Sequence, residues 1–255
     1  MGKADPMSEP ENNTQSTPKK IIIKSNGPYK VIGDLPLVHK TQIVSEFGEP
    51  LTWKKDGEIA VDLEGYDLCR CGKSGNKPFC DFTHRKIGFD GTERANTEDT
   101  TAYKIKLQSG STLTVIMDTT LCMMSGFCGM HDTGIADLVE NSSDTQARSL
   151  AIAMVERCPS GSLTYKIEPH EDEIEPDYPQ QIADTVEITS DGPIEGPLWV
   201  TGWVEIERSD GQPFIPRNRV TLCKCGLSGN KPLCDGTHRA IEQRATRDKN
   251  LADNS

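Results

Sequence analysis

Nine cysteines fall into three groups of three, and the outer two groups occupy one sixteen-residue pattern written twice. Cys69 through His84 (CRCGKSGNKPFCDFTH) recurs as Cys223 through His238 (CKCGLSGNKPLCDGTH), twelve of sixteen positions being identical at a constant offset of 154. A repeat with fixed cysteine spacing constrains the fold more tightly than composition does, because each copy must close around the same small framework. Nine is also an odd number, so the thiols cannot all pair as disulfides, and their grouping points to metal or redox chemistry.

The repeat extends upstream. Gly27-Pro28-Tyr29-Lys30-Val31-Ile32-Gly33 echoes Gly196-Pro197-Leu198-Trp199-Val200-Thr201-Gly202. Each unit therefore reads as β structure followed by a cysteine loop. Strands are expected at Ile21–Lys24, Tyr29–Ile32, Val186–Thr189, Leu198–Thr201 and Val204–Glu207, the last with Val204 and Ile206 inward. The first unit is 15 residues longer between its glycine landmark and its cysteines, which predicts a longer hairpin or loop.

Between the repeats lies a different unit. Tyr103–Leu107 and Thr112–Ile116 predict a hairpin around Ser109-Gly110. A helix is expected from Asp144 to Arg157, started by a Ser143/Gln146 capping box and delivering Cys158 just before Pro159. Six of the ten residues Glu168–Asp177 are acidic, which reads as an extended, self-repelling linker. The expected division is a disordered tail (1–19), a first module (20–95), a middle module (96–167), an acidic linker (168–184), a second repeat module (185–243) and a tail (244–255).

Hydrophobic residues make up 35% of the chain and aromatics 5%. That is thin for one large core and suits small modules stapled by metal centres. The formal net charge of −11 and the lack of a basic run argue against a nucleic-acid partner. No leader pattern and no apolar stretch near ~20 residues is present, so a cytoplasmic protein without membrane attachment is expected.

In C-x-C-x8-C-x3-H, Cys69 and Cys71 project to one side of an extended chain. Cys80 and His84 are spaced as neighbours on one helical turn, with Asp81 placed to cap it. The same reading applies to Cys223, Cys225, Cys234 and His238. Loop N–H groups between the pairs are expected to aim at sulfur and tune a centre held there. Three thiolates and one imidazole suit either Zn²⁺ or a [2Fe–2S] cluster.

This motif resembles that of the CDGSH iron–sulfur domain family, C-x-C-x2-S/T-x3-P-x-C-D-G-S/A/T-H. The second copy matches throughout, at Cys223, Cys225, Ser228, Pro232, Cys234, Asp235, Gly236, Thr237 and His238. The resemblance implies a [2Fe–2S] cluster in each copy, with Cys69 and Cys71 on one iron and Cys80 and His84 on the other. It implies the same for Cys223 and Cys225, and for Cys234 and His238. The first copy departs at Phe82, where the family has Gly; if φ must be positive there, Phe costs about 1–2 kcal/mol. A neutral imidazole in place of a thiolate is expected to raise the potential, and an exposed ring nitrogen to make it pH-dependent.

Cys122, Cys128 and Cys158-Pro159 resemble a divergent single-cluster ferredoxin domain in which Ser125 stands at the second cysteine's place. That resemblance implies a [3Fe–4S] centre, or a [4Fe–4S] centre completed by Ser125, His131, Asp132 or solvent. The expected fold class is α+β: two small β-rich modules, each with a cluster loop and short helix, flanking a small α+β ferredoxin-like module. The expected function is electron transfer between a flavin- or nicotinamide-linked reductase and a downstream acceptor, without enzymatic activity of its own. The alternatives are cluster storage, delivery or redox sensing, and a structural zinc protein. The two repeat modules are expected to pack as an internal pseudo-dimer.

Overall fold

The computed structural model describes residues 18–241 apart from Asp99, Ser111 and Pro169. Residues 1–17 and 242–255, which hold nearly all of the two expected tails, lie outside the described residues. The first repeat contributes β1 (Lys20–Ile23), β2 (Tyr29–Ile32), β3 (Leu37–Val44), β4 (Pro50–Ile59) and β5 (Gly65–Leu68), then one helical turn, α1 (Thr83–Lys86). The middle unit is β6 (Lys104–Ser109), β7 (Thr114–Asp118), α2 (Ile135–Glu140), α3 (Thr145–Arg157) and β8 (Leu163–Lys166). The second repeat adds β9 (Gln181–Thr189), β10 (Gly192–Thr201), β11 (Glu205–Glu207) and β12 (Arg219–Leu222). The fold is α+β, as its sequence predicts.

The two repeats do not form separate sheets. One sheet runs β11-β1-β2-β5 and the other β12-β10-β9-β3-β4, so each repeat lends its third strand to its partner, and the first repeat lends β4 as well. The exchange is reciprocal: β1 pairs parallel with β11 (Ile21 opposite Ile206), and β9 pairs parallel with β3 (Ile182 opposite Leu37). Gly33 and Gly202 stand where each repeat leaves one sheet for the other, at φ of 78° and 79°. At Gly202 the constraint is also steric, since a β-carbon would lie 2.5 Å from the backbone nitrogen of Gln180.

Both sheets share one core. Ile21, Ile23, Val31, Leu35, Leu37 and Leu68 pack with Ile182, Leu198, Val200, Ile206, Val220 and Leu222. Val204 and Ile206 are buried while Glu205 is exposed, the alternation expected of a half-buried strand. The extra 15 residues of the first repeat lie within the β3–β4 hairpin, which edges the second sheet and reaches the middle unit. Phe47 stacks on His131 with ring centres 4.4 Å apart, and Trp53 lies 5.6 Å from Phe127.

The middle unit has its own core. Its sheet runs β6-β7-β8, and α2 and α3 bury Ile135, Val139, Ala151, Met154 and Val155 against Leu113, Val115, Leu163 and Tyr165. Helix α3 starts one residue later than the Ser143 capping box predicts. Asp144 is the cap, its carboxylate accepting from the Ala147 N–H at 2.8 Å.

The acidic connector is tied down over much of its length. Ile174 bridges to Tyr165, and Glu173 pairs with Lys104 at 2.8 Å. Residues 181–184, assigned to the linker by their neighbours' charge, instead open β9, because Ile182 and Ala183 are fully buried. Among the described residues no helix is long and apolar enough to cross a membrane.

Candidate metal centres

The two repeated loops fold by the same hydrogen bonds. Cys69 N–H donates to Pro78 C=O and Cys223 N–H to Pro232 C=O, each at 2.8 Å. Cys80 N–H donates to Asp67 C=O and Cys234 N–H to Thr221 C=O, each at 2.9 Å. The Ser74 and Ser228 hydroxyls close their loops onto Phe79 and Leu233 carbonyls at 2.7 Å. Asp81 accepts from Gly75 and Thr83 N–H groups at 2.8 and 3.0 Å, and Asp235 does the same with Gly229 and Thr237. Asp81 thus ties the start of the helical turn to the loop from one position before the cap, instead of capping it as expected; the cap position is Phe82, whose side chain makes no capping bond. Cys80 lies before the turn rather than on it, because Phe82 at φ 65° breaks the helix between them.

These bonds bring the donors together in pairs. Cys69 and Cys71 sulfurs are 3.8 Å apart and those of Cys223 and Cys225 3.7 Å apart. Cys80 Sγ lies 3.4 Å from His84 Nδ1, and Cys234 Sγ 3.4 Å from His238 Nδ1. Two sulfurs on one tetrahedral metal with bonds of ~2.3 Å stand about 3.8 Å apart, and a sulfur and an imidazole nitrogen about 3.5 Å. Each pair therefore has the spacing of two ligands on one metal. Among the described residues no three His, Cys, Asp or Glu side chains close on the position of a single ion.

Cys223 is held low, at about 6, by its bond with Cys225 and by backbone N–H groups, but several of the other thiols lack what would hold them as thiolates. Burial pushes the Cys71, Cys80 and Cys234 thiols above the ordinary cysteine range. A bound cationic centre reverses that preference by supplying the missing positive charge. Backbone N–H groups already point at sulfur, from Lys73 to Cys71, Phe82 to Cys80, and Gly226, Leu227 and Ser228 to Cys223. The donor sets fit a pair of metals better than one.

The three middle cysteines line a cavity of about 270 Å³ walled by Met117, Met123, Phe127, Ile135 and Leu163. Cys158 is buried at the end of α3 and Cys128 sits at the exposed mouth. Desolvation raises the Cys128 thiol, and the neighbouring Cys158 and Cys122 raise it further, so the three act on one another. Ser125 lines the same cavity, whereas His131 and Asp132 line a separate hollow beside Phe47. Three thiols around an apolar cavity suit a cluster with one corner left to solvent or hydroxyl.

With this geometry in view, the comparison with known families is specific. The description "Iron-binding zinc finger CDGSH type" matches residues 26–85 and 195–239, and "Divergent 4Fe-4S mono-cluster" matches residues 108–168. The chain carries two CDGSH-type iron-binding modules. Its two CDGSH modules flank a divergent 4Fe-4S domain, in the order the motifs predict. A search of curated proteins returns no match.

The two CDGSH modules differ around their histidines. His238 Nε2 lies 3.1 Å from Glu187 Oε2, and Arg239 Nε donates to the same oxygen at 2.6 Å. The ring nitrogen expected to be exposed is therefore occupied in the second module, because buried Glu187 arrives from β9. Glu187 lies in a stretch the first module lacks, because the β9–β10 hairpin is eight residues longer than the β1–β2 one. In the first module His84 lines an open cavity of about 710 Å³ with Lys24, Lys30, Asp67, Phe82 and Arg85. Burial, then the charge of Arg85, holds His84 below the ordinary histidine range.

The second module is fastened to the middle domain beside both centres. Arg239 Nη1 donates to the carbonyls of Met123 and Met124, which follow Cys122. Gly236 makes the approach possible, since a β-carbon there would lie 2.6 Å from Met123 O. Arg219, fully buried, donates to Val155 and Glu156 carbonyls at 3.0 and 2.7 Å and to Leu163 O at 2.7 Å. It thereby caps α3 where that helix delivers Cys158.

The two CDGSH loops touch each other directly. A β-carbon on Gly72 would lie 2.4 Å from Cys225 O, and one on Gly226 2.8 Å from Cys71 O. Tyr29 of the first module donates to the Cys223 and Pro232 carbonyls of the second at 2.9 and 3.1 Å. Glu187, Arg219 and Tyr29 went unsingled by motif reading; the Arg that follows both histidines was the one signal in the sequence.

Proposed function

We propose that the chain carries electrons between proteins, using three one-electron centres held in fixed order. Cys69, Cys71, Cys80 and His84 would hold one [2Fe–2S] cluster and Cys223, Cys225, Cys234 and His238 another. Cys122, Cys128 and Cys158 would hold a [3Fe–4S] or [4Fe–4S] cluster. Such clusters, when bound, supply reversible one-electron oxidation and reduction.

The observation that carries this reading is the continuity of the ligand loops. Met123–Met124 rests on Gly236 and Arg239, and the second CDGSH loop rests on the first through Gly226 and Gly72. No more than loop-to-loop contact separates successive ligand sets. The protein's own residues do the positioning: Arg219 seats the helix that presents Cys158, and Glu187 orients His238. The paired donor spacing favours two metals per set over a single zinc ion. A flavin- or nicotinamide-linked reductase and a downstream acceptor are the partners this role requires, and no chemistry on a small substrate is assigned to the chain.

Oxygen-free purification with iron and sulfide counts, absorption and EPR tests the reading. Seven or eight iron atoms and two distinct Cys₃His signals are expected, with fast reversible reduction. Colourless, iron-free protein would refute it. The open cavity beside His84 favours a second reading, cluster delivery. Transfer of iron and sulfide to an apo-ferredoxin, in place of reversible reduction, would select that one.

A further inference from the structure

We infer that the open face beside His84 is a docking surface for an electron carrier protein that presents acidic side chains. The inference rests on the electron-carrier reading above and adds the surface at which the exchange occurs.

Three observations converge on this face. Lys24, Lys30 and Arg85 line one cavity with a single carboxylate, Asp67, among their neighbours there. All three cations are exposed, and among the described residues none of them makes an ion pair; Arg85 instead lies over the Phe82 ring, 4.8 Å from its centre. In a chain of net charge −11 that is a local reversal of sign. Such a patch attracts an acidic surface and orients it on approach.

The second module shows what occupies the equivalent face. There the counterparts of Lys24 and Lys30 are Thr185 and Trp199, both buried. Trp199 is covered by Trp53 and Tyr178, and at the histidine end of that face the middle domain's Met123–Met124 segment, next to Cys122, sits on Gly236 and Arg239. Beside the histidine, the occupant is thus a loop from another candidate cluster domain. In the first module Phe82 replaces Gly236, is 48% exposed, and denies the close backbone approach. The middle domain is thereby directed to the second module, and the first is left to a partner that meets side chains rather than backbone. Lys24, Lys30 and Arg85 select the charge of that partner.

The test uses the full-length holoprotein and an acidic plant-type [2Fe–2S] ferredoxin as probe, with affinity measured by calorimetry at low ionic strength. The double variant Lys24→Glu/Lys30→Glu is expected to weaken binding about tenfold or more and to flatten its salt dependence. The control Lys54→Glu/Lys55→Glu makes the same change in net charge on β4 and is expected to change affinity less than twofold. Equal weakening by both variants would reduce the effect to overall charge and overturn the proposal. So would an unchanged affinity in the first variant, or a failure of the wild type to bind the probe. Absorption and iron content of each variant are recorded in parallel. Iron-free protein that still binds the probe through Lys24 and Lys30 would sink the electron-carrier reading and leave the docking surface standing.

Discussion

Glu187 Oε2 lies 3.1 Å from His238 Nε2, on a stretch of the β9–β10 hairpin that the first module's shorter β1–β2 hairpin lacks. Two ligand sets with the same four donors therefore differ in what holds their histidine. A buried carboxylate on the far nitrogen fixes the tautomer and increases the electron density the ring donates. Glu187→Gln keeps the shape and removes the charge. The potential of one Cys₃His centre is expected to rise on the order of tens of millivolts, with the other unmoved. Square-wave voltammetry showing both centres unmoved would remove Glu187 from the account.

Contact between the two CDGSH loops is tight enough to feel one carbon. Gly72→Ala puts a methyl group 2.4 Å from Cys225 O at a φ of +73°, so crowding adds to backbone strain. A loss of about 2–4 kcal/mol is expected. Gly211→Ala has nearly the same backbone, at φ +81°, with open space around it, and is expected to lose only ~1 kcal/mol. Urea midpoints of the two variants, compared side by side, separate crowding from strain.

Arg219 is the fastening between the second CDGSH module and the middle domain. Arg219→Met removes three hydrogen bonds to carbonyls and the 3.2 Å ion pair with Glu175. A loss of about 3–5 kcal/mol is expected. Amide exchange should quicken first in α3 and around Cys158, ahead of the CDGSH sheets. Uniform quickening across the whole chain would mean that Arg219 supports the fold globally instead.

Lys40 gives the stability a pH dependence of known sign. Burial, reinforced by the charge of Lys55, lowers its ammonium to a pKa of about 8, although it lies 4.1 Å over the Trp199 ring. Between about pH 8 and the ordinary lysine value of 10.5 the unfolded chain holds the proton more tightly, so this group makes stability rise with pH. Lys40→Gln is expected to be more stable than wild type at pH 7 and to lose that rising component. Parallel urea titrations from pH 7 to 10.5 check it; identical slopes would refute it.

Cys128→Ala addresses the middle domain alone. It removes the thiol at the cavity mouth and is expected to lower iron by three or four atoms per chain while both Cys₃His signals persist. The number lost separates [3Fe–4S] from [4Fe–4S].

Motif spacing made the donor pairs of each repeat legible, because their geometry is local: loops of sixteen residues closed by their own hydrogen bonds. Tyr29–Ile32 is expected as a strand and found as one for the same reason, its alternation being a property of four adjacent residues. What escaped the sequence is what depends on distant partners. The pairing of β3 with β9 joins segments more than a hundred residues apart, and nothing in Leu37–Val44 says which sheet it enters. Glu187 reads as a surface residue in the alternation of β9, until the fold sets it against His238 and Arg239. Ser143 loses the cap to Asp144 by one position, a distinction below the resolution of a pattern.

The traded strands bear on how the molecule is made. As synthesis proceeds from the first residue, Cys69, Cys71, Cys80 and His84 leave the ribosome long before Glu205–Glu207, the segment that borders β1. The first sheet stays incomplete until nearly the whole chain has emerged. Metal loaded early would enter a half-built cradle, so maturation of the earliest ligands must wait for, or survive until, the arrival of the last.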